Sequence, residues 1–106
     1  MNATIKAVMT ELKAGLTRIY GTRLRGVYLY GSYARGEADA ESDLDVLVIL
    51  NQFDHYASEV DRTGPLVSEL SLRYRVSISR VFVSERDWLE RDTPFLANAR
   101  EEAIPA

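Results

Sequence analysis

Gly31, Ser32, Arg35, Ser42, Asp43 and Asp45 are the residues of this chain whose types and spacing could do chemistry. They spell a Gly-Ser turn, ten intervening residues, then Asp-x-Asp running into the aliphatic stretch Leu44–Leu50. Carboxylates two positions apart on a strand point to the same face, roughly 6.5–7 Å apart along the chain. Two like charges at the head of a buried strand are costly unless something compensates them. A pair of magnesium ions about 3.5–4 Å apart would do so, clamping the attacking and leaving oxygens of a phosphoryl transfer. Magnesium takes few carboxylates alongside substrate phosphates, which matches a site with this little ligation. Asp43 and Asp45 are therefore the candidate catalytic pair and the candidate metal ligands.

The other motif residues suit the phosphates. Gly31 and Ser32 stand where a strand ends and a helical turn begins, and free backbone N–H groups there receive phosphate oxygens. Glycine permits close backbone approach, and the Ser32 hydroxyl adds a donor. Arg35, one turn on, can pair with a phosphate. Ser42 precedes the first aspartate and can hydrogen-bond a carboxylate or cap the loop. The expected ligand is a nucleoside triphosphate held through magnesium.

The elements that must position these residues follow from periodicity. Ile5, Val8, Met9, Leu12, Leu16 and Ile19 recur at helical spacing, predicting a helix over 3–20 with Asn2 or Thr4 as cap and Gly21 as stop. A β-rich run, 24–30, ends at Gly31. Residues 33–42 predict one helical turn and a loop. Leu44–Leu50 predicts a strand buried on both faces. Asp54 can cap a helix over 55–74, which Gly64-Pro65 should kink or split. Residues 76–83 predict a third strand, Glu85–Glu90 a turn or short helix, and Asp92-Thr93-Pro94 a helix start. That last helix should fray at Ile104-Pro105-Ala106. The order predicts one α/β (α+β) domain over 1–106, a small mixed sheet flanked by helices.

Composition narrows the function. A net charge of −3 argues against a general nucleic-acid binder. The chain has no cysteine, which excludes disulfides and thiolate chemistry, and its one histidine cannot build a histidine metal site. His55 reads as a surface residue at a helix start. No apolar run approaches the ~18 residues of a membrane span, and no signal-peptide core is evident; the default location is cytoplasmic. Tyr33 could stack on an adenine or simply pack. Trp88 reads as a core or interface anchor.

Residues 31–45 resemble the Gly-Ser, ten residues, Asp-x-Asp signature of the DNA polymerase β-like nucleotidyltransferase superfamily. Ala34-Arg35-Gly36 and Ser42 strengthen the match. The size and element order are similar to its minimal members, the MNT proteins, usually encoded beside HEPN-domain partners as toxin–antitoxin pairs. The resemblance implies a polymerase β-like fold, Mg2+ and ATP at the motif, and transfer of a nucleotidyl group. It also implies an acceptor tyrosine on a HEPN ribonuclease toxin, silenced by the modification; a domain this small is expected to work inside a hetero-oligomer. The superfamily pattern carries a third carboxylate on a later strand. Here Ser77 and Ser79 hold the positions that could face the site, and Glu69, Glu85 or Asp87 would have to reach in from elsewhere. A protein-binding antitoxin on the same fold is the alternative reading. Arg80, with Arg73 and Arg75, could bring positive charge to a phosphate.

Overall fold

A computed structural model describes residues 2–106. Helix α1 spans Ala3–Tyr20, capped by the Asn2 side chain, which accepts from the Ile5 N–H at 2.8 Å. A 3-10 turn, Gly21–Arg23, leads into β1, Leu24–Tyr30. The single-turn α2, Ser32–Arg35, and a loop precede β2, Leu44–Leu50. Then come α3 (Tyr56–Tyr74), β3 (Ile78–Ser84), α4 (Glu85–Glu90), α5 (Pro94–Glu102) and β4 (Ile104–Pro105).

The sheet order is β3-β2-β1-β4. β2 runs parallel to β3 and antiparallel to β1, and β4 pairs antiparallel with β1. The sheet is mixed, as expected. The two aliphatic parities of β2 feed two cores. Leu44, Val46, Val48 and Leu50 pack with Val8, Leu12 and Leu16 of α1 and Val67 and Leu70 of α3. Leu47 and Ile49 face the other way and pack with Val83, Leu96 and Ala99, beneath Tyr28, Tyr30 and Trp88. The helices therefore form a layer on each face, and β2 is buried on both.

Four details depart from the expectations. α3 is a single helix that runs through Gly64-Pro65 without splitting. Pro65 costs it one intrahelical bond, but Val67 and Leu70 just beyond are buried in the first core, so packing overrides the break. The cap position of α3 is His55, with no side-chain cap bond, rather than Asp54. β3 begins at Ile78, two residues late. The C-terminal tail is a short strand rather than a frayed end. Ile104 and Pro105 lie opposite Leu29 and Tyr28. The Ala106 N–H donates to the Val27 carbonyl at 2.9 Å. Proline is acceptable there because β4 is an edge strand. No described helix is long and apolar enough to cross a membrane.

Candidate active site

Strand register builds the site. Asp45 lies opposite Tyr30 on β1 and beside Ser79 on β3, so the three form one row across the sheet. By the alternation of β2, Asp45 heads the row that continues through Leu47 and Ile49, the face that α5 covers. β1 ends beside it at Gly31, which caps α2 with φ +76°. A Cβ built on Gly31 would stand 2.3 Å from Asp45 Oδ2. Only glycine lets the chain turn there against the carboxylate. This close approach places the backbone of the Gly-Ser turn on the aspartate that motif spacing singled out.

A cleft of about 330 Å³ opens at this point, lined by Tyr30, Gly31, Ser32, Arg35 and Asp45 on one side and by Phe95, Asn98 and Glu102 of α5 on the other. Four of the six candidate residues thus meet in one hollow. Asp43 is solvent-exposed at the head of β2, and its charge is felt by Asp45. Burial, then the Asp43 charge, pushes the Asp45 carboxyl above the ordinary aspartate range; Arg35 opposes the shift and Glu102 adds to it. Burial and the Asp45 charge push the Tyr30 phenol up to about 12, so it stays protonated. Ser42 lies apart from the cleft. Its hydroxyl accepts from the Asp39 N–H at 3.0 Å and donates to Asp39 Oδ1 at 3.3 Å, fastening the loop that delivers Asp43. It lines a separate hollow with Tyr33, Tyr74 and Arg75. Tyr33 therefore lies away from the Asp45 cleft and packs against the first core.

The strand position beside Asp45 holds Ser79, and Ser77 contributes its carbonyl to the Leu44 N–H at 2.8 Å. The other carboxylates considered for the third role are occupied elsewhere. Glu69 pairs with Arg73 at 2.5 Å, Asp87 with Arg91 at 3.6 Å and Glu85 with Arg25 at 4.0 Å. Arg80 does not serve a phosphate: it donates to the Thr63 hydroxyl and the Val60 carbonyl of α3, each at 2.7 Å, on the opposite face. Arg73 is likewise tied to Glu11 and Glu69.

The carboxylate that does reach the cleft is Glu102, which the sequence reading passed over. Its Oε1 accepts from the Gly31 N–H at 3.0 Å, and its Oε2 pairs with Arg35 Nη1 at 3.2 Å. Phe95, Asn98 and Glu102 recur at three- and four-residue spacing, one face of α5. That periodicity was the available signal, but nothing local says which face of the sheet α5 covers. Among the described residues no group of three or more acidic, histidine or cysteine side chains is arranged to hold a metal. The donor set is the exposed Asp43 and the half-buried Asp45. This fits a magnesium ion that takes its remaining oxygens from water and phosphate.

Residues 9–102 match the model of the nucleotidyltransferase domain family. A Methanocaldococcus jannaschii protein named "Putative protein adenylyltransferase" is 35% identical over 74 residues, 70% of this chain and 74% of its own. The protein adenylyltransferase MntA of Thermococcus cleftensis is 35% identical over 69 residues, covering 65% and 68%. The solved "Structure of putative minimal nucleotidyltransferase" superposes with TM-score 0.66 at 28% identity over 97% of this chain and 93% of that one. A solved toxin–antitoxin with AMP-PNP shares the fold at TM-score 0.62 and 18% identity, over 89% and 68%. With 94 consecutive residues matched and the motif glycine folded against the motif aspartate, the chain belongs to the nucleotidyltransferase domain family.

Proposed function

We propose that this protein is a nucleotidyltransferase antitoxin that transfers AMP from ATP to a HEPN-type ribonuclease toxin and thereby neutralises it. The observation that carries the reading is the contact of Gly31 with Asp45 in a cleft flanked by Arg35. Support for a protein acceptor comes from the relatives named as protein adenylyltransferases. The toxin–antitoxin neighbour suggests the kind of partner.

In the proposed reaction an acceptor hydroxyl oxygen, from a tyrosine of the toxin, attacks the α-phosphorus of ATP. A P–O bond to the acceptor forms, the bond to the β-phosphate breaks, pyrophosphate leaves and the acceptor proton is released. Gly31 N–H, the Ser32 hydroxyl and Arg35 hold phosphate oxygens. Asp43 and Asp45 would hold Mg2+, which when bound neutralises the phosphate charge built up in the transition state. Ser42 fastens the loop that leads to Asp43 through its bonds to Asp39. Tyr30 packs edge-to-face against Phe95 at 5.7 Å and gives the cleft an aromatic wall. Ser79 is a poor base at neutral pH, so the strand position beside Asp45 supplies no general base for the acceptor hydroxyl.

That same serine favours one second reading. A strand without its third carboxylate suits an antitoxin that binds its partner without modifying it. The two separate on one variant. Purified toxin incubated with ATP, Mg2+ and wild-type protein should gain nucleotidyl mass, and Asp43→Asn/Asp45→Asn should give none. Toxin activity that is blocked equally by both versions, with no mass gain, would establish the binding antitoxin instead.

A further inference from the structure

We propose that Glu102 is a resident competitor for the nucleotide: its carboxylate occupies the phosphate donors of the cleft, and phosphate must displace it to bind. The inference rests on the nucleotide-binding reading of this cleft and adds the group against which that binding works.

The argument is one of donors and acceptors. An ionised carboxylate is acceptor-only, as is a phosphate oxygen. The Gly31 N–H has one hydrogen, and Glu102 Oε1 takes it at 3.0 Å. The Arg35 guanidinium is engaged on two sides, its Nε by Glu37 at 3.1 Å and its Nη1 by Glu102 at 3.2 and 3.4 Å. The bonds to Glu37 and then Glu102 hold Arg35 firmly protonated. Glu102 therefore satisfies together the backbone donor and the cation that a phosphate would use together, in the manner of a phosphate mimic. It is also a charge that Asp45 feels unfavourably. An anion arriving at the Gly31 and Arg35 donors meets the Glu102 charge until that side chain turns away.

The backbone says which part moves. Glu102 is the last residue of α5, the Ala103 N–H donates to the Ala99 carbonyl at 2.8 Å, and β4 is clamped to β1 immediately after. The main chain at Glu102 is thus fixed on both sides. Its side chain is a quarter exposed and has three rotatable bonds, so displacement is a rotation toward solvent rather than an unzipping of β4. The Arg35 bonds that would be lost are exposed and the Gly31 bond is part-buried, so the competition is modest.

The test is calorimetric titration of the full chain with ATP and Mg2+, for wild type, Glu102→Gln, Glu102→Ala and Asp45→Asn, with thermal melts to confirm folding. Glu102→Gln keeps the shape and an acceptor for Gly31 but removes the charge; Glu102→Ala removes both. The expected result is about three- to tenfold tighter ATP binding by Glu102→Ala, with Glu102→Gln between it and wild type. Raising the salt concentration should shrink that gain. Wild type that binds ATP while both Glu102 variants bind equally or more weakly overturns the inference alone, because Glu102 would then act with the nucleotide or not at all. Wild type and Glu102→Ala that both fail to bind ATP overturn the inference and the nucleotide reading together.

Discussion

Asp45 shows what a single residue does in this fold. Its carboxyl is raised above the ordinary aspartate value of about 3.9 by burial and by Asp43. A raised carboxyl means the folded state holds its proton more tightly than the unfolded chain does. The contribution of Asp45 to stability is then present below the ordinary value and is lost as pH rises through the elevated one. Asp45→Asn removes that loss. Melting curves from pH 4 to 7 should show the variant at least as stable as wild type at pH 7, with a flatter slope, although transfer is abolished. Gly31→Ala should fail on both counts. Its φ of +76° and the 2.3 Å approach to Asp45 forbid a Cβ. We expect about 1–3 kcal/mol of destabilisation by melting and at least a hundredfold loss of transfer measured by labelled-AMP incorporation. These two residues were legible because type and spacing suffice: a glycine before a helical turn, and a carboxylate where an aliphatic run begins. Glu102 was not, because its role depends on where a helix seventy residues downstream lies against the sheet.

At the scale of elements, local signals located most of the helices and strands and missed what packing decides. Of the two caps the sequence offers for α1, Asn2 or Thr4, Asn2 is the one used, and the helix start at Asp92-Thr93-Pro94 holds with Thr93 as cap. Pro65 misled, since a proline in an otherwise helical pattern reads as a break; burial of Val67 and Leu70 carries the helix through it. Gly64 sits in the same helix with open space where a Cβ would go. Gly64→Ala should therefore stabilise the protein by about 0.5–1 kcal/mol, a rise of a few degrees in Tm, with transfer unchanged. The tail misled in the opposite direction. Ile104-Pro105-Ala106 has the composition of a frayed end, and only the free edge of β1 makes it a strand. Deleting residues 104–106 should lower Tm by several degrees and unfasten the end of α5. Trp88 does serve as an anchor, stacked on Tyr28 at 5.2 Å with its carbonyl accepting from Arg100.

Across the whole molecule, the mixed sheet divides two tasks between its faces. The α1 and α3 layer supplies the larger core and immobilises Arg80 and Thr63. The α4 and α5 layer is thinner, and the cleft opens at its edge where Tyr30, Asp45 and Ser79 align. The serine beside Asp45, where the superfamily pattern carries a carboxylate, is the feature that weighs most against the proposed catalysis. The meeting of Gly31, Ser32, Arg35 and Asp45 in one hollow is the feature that most supports it. The measurement that decides between them is the intact mass of the proposed toxin partner co-expressed with wild type or with Asp43→Asn/Asp45→Asn. The account predicts a gain of one or more AMP groups on the toxin with wild type and none with the double variant. An unmodified toxin that co-purifies with both versions would contradict it.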